Sequence, residues 1–133
     1  MLYMLDTNIC IYLLKNKPPG IREKFERIEF GNLAISSIAV AELYFGVEKS
    51  RSPQKNFKNL NNFLSPIIII PFNIHAARIY GTIRNILEKE GKLIGPNDML
   101  IAAHALSTDS ILVTNNIKEF KRVPKLKLEN WVS

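Results

Sequence analysis

The sequence predicts an α/β domain, with a central parallel sheet of four to five strands and helices on both faces. Three observations predict it. Short apolar, β-branched runs alternate with longer helical segments, the pattern that builds parallel sheets. Pro, Gly, Ser and Asn fall between the segments, where they cap or break them. The length also suffices: 133 residues, 47% of them hydrophobic and 23% charged, can bury one such core without staples. No repeat, low-complexity tract or Gly/Ser linker divides the chain, so residues 1–133 read as a single domain.

The elements follow in order. Tyr3 to Leu5 is a short strand, and Thr7 to Lys15 a helix that Pro18-Pro19-Gly20 closes off. Ile21 to Ile28 is a second helix, with Ile21, Phe25 and Ile28 on one face. Asn32 to Ser36 is a strand, and Ser37 is read as the N-cap of a helix reaching about Lys49. Pro53 opens the next helix, which carries Phe57, Leu60, Phe63 and Leu64 at helical spacing. Ile67 to Ile70, set between Pro66 and Pro71, reads as a buried strand by composition. Asn73 caps a long helix to about Glu90, and Gly91 ends it. Pro96 opens a helix to about Leu106. Ser110 to Thr114 is a central strand, Lys118 to Phe120 one helical turn, and Leu126 to Leu128 a final short strand.

Composition narrows the function. Lys plus Arg number 18 against 12 Asp plus Glu, a net charge of +6 and a pI near 9.6, which suits an anionic partner. One cysteine, Cys10, excludes an internal disulfide framework, and its apolar neighbours mark it as a core residue. No signal peptide is evident, and the longest uncharged stretch, Asn59 to Ala77, is too polar to span a bilayer. The expected location is the cytoplasm, with no membrane association.

The carboxylates carry the chemistry. Asp6 is the sole charge in residues 1–14, Glu42 the sole charge between Phe30 and Val47, and Asp98 the sole charge between Leu93 and Thr108. Each stands alone in an apolar segment, where an unpaired carboxylate costs several kcal/mol or shifts its pKa. Asp6 ends the first strand, Glu42 lies in the second turn after the second strand, and Asp98 opens its helix. In a parallel sheet these positions share the carboxyl edge, where α/β folds build their sites, and Asn115 and Asn116 reach the same edge. Taken singly, Asp6 closes an Asx-turn, Glu42 pairs with a core Arg, and Asp98 satisfies helix-start N–H groups. Taken together, an oxygen-only set of acids and amides suits a hard cation such as Mg²⁺ or Mn²⁺.

Ordered along the chain, the motifs then resemble a known family. Asp6-Thr7-Asn8 after an apolar strand resembles the start of a PIN domain. Ser37 to Gly46, with Glu42-Leu43 and Gly46, resembles its second motif, and Pro96-Asn97-Asp98 to Ala103 its third. Leu112-Val113-Thr114-Asn115-Asn116 followed by Glu119-Phe120 resembles the fourth, and Leu128 to Trp131 resembles the C-terminus of the VapC toxin branch. The resemblance implies a PIN-like three-layer α/β/α fold and a metal-dependent endoribonuclease, the toxin of a type II toxin–antitoxin pair. It implies Asp6, Glu42 and Asp98 as metal ligands. Asn116 stands where many PIN domains carry a fourth Asp, which removes one negative charge and weakens any second metal. Thr7, Asn8, Thr114 and Asn115 are expected to support the site. Glu119 reads more simply as an exposed helical residue. The implied partners are a VapB-type antitoxin whose C-terminal tail fills the active-site groove, structured RNA such as the anticodon loop of initiator tRNA, and a second copy in a homodimer or higher toxin–antitoxin assembly.

The basic residues fit an RNA partner. With the three site acids neutralised, 18 bases face nine acids. Lys49, Arg51, Lys55 and Lys58 form one run. Lys118, Lys121, Arg122, Lys125 and Lys127 form another that begins just after Asn116 and is expected to track phosphates. Each run also suits a plain solvated face. Tyr44, Phe45 and Tyr80 are read as packing residues before base-stacking ones, and His75 and His104 as structural. Two other readings stay open: a non-catalytic RNA- or partner-binding PIN-like domain, which would have lost its acids, and an aspartyl-phosphate phosphatase, which would want Asp where Asn8 stands.

Overall fold

The structure, a computed structural model, describes residues 1–132. Five strands form one sheet: β1 (Tyr3–Leu5), β2 (Leu33–Ser36), β3 (Ile68–Ile70), β4 (Ile111–Val113) and β5 (Lys127–Glu129). Their order is β3-β2-β1-β4-β5, and every pairing is parallel. The connecting helices are α1 (Thr7–Lys15), α2 (Ile21–Glu26), α3 (Ser37–Glu48), α4 (Pro53–Leu64), α5 (Ile74–Lys89), α6 (Pro96–Ser107) and α7 (Ile117–Phe120).

The strand order creates the site. From β1 the chain steps one way to β2 and β3, then returns past β1 to β4 and β5. Right-handed crossovers therefore put α1 to α4 on one face and α5 and α6 on the other. The direction changes between β1 and β4, so their carboxyl ends diverge into a crevice, the usual ligand position in open α/β sheets. Leu5 aligns with Ile35 on one side and Val113 on the other, which sets Asp6, Ser36 and Thr114 level at that edge. Met4, Leu5, Leu33, Ile35, Leu112 and Val113 are fully buried and fix this register. Each contributes about 1.5–3 kcal/mol of burial, so a one-residue slip is heavily disfavoured.

Four expectations are corrected. The helix over residues 21–28 ends at Glu26, since the residues before β2 turn instead through a 3₁₀ segment at Phe30–Asn32. The N-cap of α3 is Ser36, whose Oγ accepts from the Ile38 N–H at 3.1 Å; the Ser37 hydroxyl accepts from the Phe72 N–H at 3.0 Å instead. The isoleucine run is not a buried strand. Ile67 is buried, but Ile68 and Ile69 are 42% and 45% exposed, because β3 is the outermost strand beside β2. The flanking Pro66 and Pro71 limit this edge to three residues, one way an edge avoids pairing with other chains. The last strand is shifted by one residue, to Lys127–Glu129. Gly91, at φ +66°, follows α5 in the left-handed conformation that Gly adopts without strain. Among the described residues no helix is long and apolar enough to cross a membrane.

Candidate active site

Asp6 is built into the sheet and the first helix at once. Its N–H donates to the Val113 carbonyl at 3.1 Å, which extends the β1–β4 ladder by one residue. Its carboxylate caps α1, with Oδ1 accepting from the Ile9 N–H at 2.8 Å. Asp6 is 4% exposed. Burial pushes its carboxyl up from 3.8 to about 6; the Thr114 hydroxyl and the Ile9 amide pull it down, and the charges of Asp98 and Glu42 push it up again. The capping role expected of Asp6 taken singly is thus met, and it leaves the residue at the carboxyl edge of β1.

Glu42 projects from α3 and takes a hydrogen bond on each carboxylate oxygen. Thr7 Oγ1 donates to Oε1 at 2.6 Å, and Asn97 Nδ2 donates to Oε2 at 3.1 Å. No Arg or Lys pairs with it, so the core-pair reading fails. Asp98, half-buried in the first turn of α6, has its carboxyl raised by burial and by the charges of Glu42 and Glu119. Asp6, Glu42 and Asp98 thus lie within mutual electrostatic range, and Glu119 within range of Asp98. Among the described residues the single ion pair is elsewhere, Lys127 with Asp109 at 2.9 Å.

The remaining expected residues divide. Thr7 is tied to Glu42, and Thr114 is buried at the sheet edge, its Oγ1 accepting from the Asn116 N–H at 2.9 Å. Asn116 Nδ2 donates to Glu119 Oε2 at 3.1 Å. Asn8 is exposed in the first turn of α1, and Asn115 turns away to accept from Asn130 Nδ2 at 3.2 Å. Lys118, Lys121, Arg122 and Lys125 are exposed. Sequence reasoning misses Asn97, whose hydrogen bond to Glu42 spans 55 residues, and reads Glu119 first as an exposed helical acid with a water-mediated site role second. Its three-residue spacing from Asn116, one helical turn, was the signal available for it.

The donor set fits a hard divalent cation. It consists of carboxylates with amide and hydroxyl oxygens, it carries negative charge with no Lys or Arg of the described residues in an ion pair with it, and the carboxyl of its most buried member, Asp6, is raised by burial and by the neighbouring acids. Among the described residues no three acidic, His or Cys side chains already meet as a metal cage. Cys10 lies buried beside Asp6 with its thiol pushed up, so it supplies no soft ligand.

Comparison with known proteins bears on the family and the fold. The PIN domain family matches residues 3–126. Ribonuclease VapC2 of Rickettsia felis is 49% identical over 132 residues, covering 98% of both chains. The tRNA(fMet)-specific endonuclease VapC of Shigella flexneri is 44% identical over 97% of both. The chain matched in the crystal structure of VapBC2 from Rickettsia felis, bound to a DNA fragment from their promoter, superimposes with a TM-score of 0.93 at 48% identity, covering 98% of this chain and 99% of that one. A five-stranded parallel sheet, the four ordered motifs and full-length similarity converge: the chain belongs to the PIN-domain ribonucleases of the VapC family.

Proposed function

We propose that this chain is the RNA-cleaving toxin of a VapBC-type pair. In this reading it is a Mg²⁺- or Mn²⁺-dependent endoribonuclease of a single domain, residues 1–133, acting in the cytoplasm. It hydrolyses a phosphodiester in structured RNA, and the anticodon loop of initiator tRNA is the substrate. The observation that carries the reading is the gathering of Asp6, Glu42 and Asp98 at the β1–β4 crevice with no cation beside them. PIN-domain nucleases generally use divalent metal ions. The name of the Shigella flexneri relative supports the substrate, and the VapBC2 complex supports an antitoxin partner.

Asp6, Glu42 and Asp98 hold the ion. Mutual repulsion keeps uncompensated carboxylates from converging, and a bound cation reverses that. When bound, the ion supplies positive charge against the scissile phosphate and makes water a better nucleophile. Thr7 and Asn97 fix the direction of Glu42 from opposite sides. Asn116 is neutral where many relatives are acidic, and Glu119, held by Asn116, restores a negative charge to the rim. Thr114 steadies both Asp6 and the turn into α7. Asn8, exposed at the start of α1, and Asn115 stand at the mouth rather than in the ligand set. Lys118, Lys121, Arg122 and Lys125 then take RNA phosphates as the strand leaves the crevice.

A groove of about 380 Å³ between α1, α3 and α4 has Glu42 on its rim and Ile11, Leu14, Leu43 and Val47 on its walls. An apolar groove of this kind accepts one face of an amphipathic segment, which suits the antitoxin tail. The active assembly is a homodimer, or a higher complex once antitoxin binds. The test is cleavage of initiator tRNA by the purified chain with Mg²⁺, Mn²⁺ or EDTA, with the new 5′ ends sequenced. Cuts confined to the anticodon loop and abolished by EDTA are expected. Cleavage that survives EDTA overturns the metal reading, and cuts in other RNAs alone overturn the substrate.

A further inference from the structure

His104 is a buried titratable residue that the proposed chemistry does not use. It lies in α6, six residues beyond Asp98, and has no exposed surface. Its Nδ1 is 2.8 Å from Ser36 Oγ, also fully buried. Ser36 ends β2 and caps α3, the helix that carries Glu42. The hydrogen bond therefore joins the helix of one acid to the cap of the helix of the other, across 68 residues of sequence. Phe72, just after β3, presents its ring edge-on to the imidazole with centroids 5.4 Å apart. Its N–H is held by the Ser37 hydroxyl.

Ser36 Oγ accepts from the Ile38 N–H and keeps its own hydrogen and a second lone pair, so it can give or take the bond with Nδ1. The other ring nitrogen, Nε2, is buried and has no polar partner among the described residues, and the Phe72 ring is packed against the imidazole. With both Ser36 and His104 sealed from solvent, neither can touch substrate, so a Ser–His nucleophile is excluded. What the pair does is mechanical. α3 and α6 leave different strands and lie on opposite sheet faces, and their acids must stand at a fixed separation.

We infer that His104 is a positioning residue: through its hydrogen bond with Ser36 Oγ it latches α6 to the start of α3 and sets the placement of Asp98 relative to Glu42. The inference rests on the proposed role of those two acids. The buried polar pair is otherwise a poor use of a core position, since a half-satisfied imidazole is costlier there than a leucine.

The test compares His104→Leu, His104→Asn and Ser36→Ala in the full chain. The readouts are Mn²⁺ binding followed by electron paramagnetic resonance, RNA binding in EDTA, and thermal unfolding. Asn presents its side-chain amide close to the place of Nδ1 and retains a hydrogen-bond partner for Ser36, as donor or acceptor. His104→Leu and Ser36→Ala are each expected to weaken Mn²⁺ binding roughly five- to tenfold, the low end for partners of metal ligands, with RNA binding in EDTA unchanged. His104→Asn is expected to stay within about twofold of the parent, on the argument that the hydrogen bond to Ser36 is what matters. Equal losses in Leu and Asn, or parental Mn²⁺ binding in Ser36→Ala, overturn the latch, and the second variant decides the matter if His104→Leu fails to fold. A parent protein that takes up no Mn²⁺ overturns the metal site itself, a result distinguishable from failure of the latch.

Discussion

The carboxyl edge of β1 and the segment from Lys118 to Lys127 are both crowded with charge of one sign, and water treats them differently. At the first, Asp6 is buried and Asp98 half-buried, and both carboxyls are pushed up, chiefly by loss of solvent. At the second, five basic side chains are exposed, and the one in an ion pair, Lys127, meets an Asp109 that is more exposed still. Exposed charges of like sign are screened by salt and cost little. Buried ones left unpaired cost several kcal/mol. Unpaired charge therefore speaks to function where it is buried, and says little where it is solvated.

The largest expected effect lies at the buried acids. Asp6→Asn, Glu42→Gln and Asp98→Asn should each slow cleavage at least about a hundredfold, since a bound metal supplies several kcal/mol of transition-state stabilisation. RNA affinity in EDTA should not change, because the basic surface is intact. Single-turnover cleavage beside a gel-shift titration separates the two. A full-rate Asp98→Asn enzyme would dissolve the contrast between the regions.

Next comes stability. The Asp6 carboxyl is raised in the folded state, so the folded protein binds the proton more tightly than the unfolded one. The metal-free protein should then lose stability as pH rises from about 4 to about 6, by on the order of 3 kcal/mol in all. Asn caps a helix about as well as Asp. Asp6→Asn should therefore flatten that slope and leave the metal-free protein more stable than its parent at pH 7.5. Urea unfolding in EDTA at several pH values measures this. Added Mg²⁺ should stabilise the parent at pH 7.5 and do little for Asp6→Asn.

His104 titrates with the opposite sign. Burial holds its imidazole below 6.5, so the unfolded chain takes up the proton more readily. Its contribution is complete above about pH 6.5 and is lost as pH falls below that value. Because Asp6 acts in an overlapping range, the comparison belongs in an Asp6→Asn background. There, His104→Asn should lessen the loss of stability between pH 6.5 and 5, read by the same urea titrations. An unchanged slope would mean that the imidazole is already free to ionise in the folded protein.

The same contrast explains what was legible in the sequence. An isolated Asp6, Glu42 or Asp98 inside apolar text announces a buried charge, and strand alternation places all three on one edge. The partners of those acids carry no such mark. Asn97 reaches Glu42 across 55 residues, and Ser36 reaches His104 across 68, so neither pairing has a local signature. Glu119 hides among lysines, and adjacent serines at 36 and 37 are interchangeable as caps until the backbone decides. The isoleucine run misled for a related reason. Composition reports that a strand suits burial, whereas edge position is set by the order of crossovers, and no residue within β3 encodes that order.

The smallest expected effect is at the exposed bases, and it sharpens the comparison most. Lys121 has no ion-pair partner and lies in the open, so Lys121→Ala should cost only a few-fold in RNA affinity near 0.1 M salt. It should also reduce the slope of log affinity against log salt by about 0.7–0.9, one phosphate contact. Cleavage of bound RNA should proceed at the parental rate. Arg122 differs, because its Nη1 donates to the Leu93 carbonyl at 3.2 Å, in the segment that leads into α6 and Asp98. Arg122→Ala should therefore reduce the slope in the same way and also slow the bound RNA. As salt approaches 1 M the affinity loss of Lys121→Ala should shrink towards nothing, since counterion release no longer favours either protein. The loss from Asp98→Asn, measured on RNA already bound, should persist, because a desolvated charge is screened by the protein and not by the buffer. If salt erased both, the acid pocket would be as solvated as the basic strip, and the distinction between the two regions would fall.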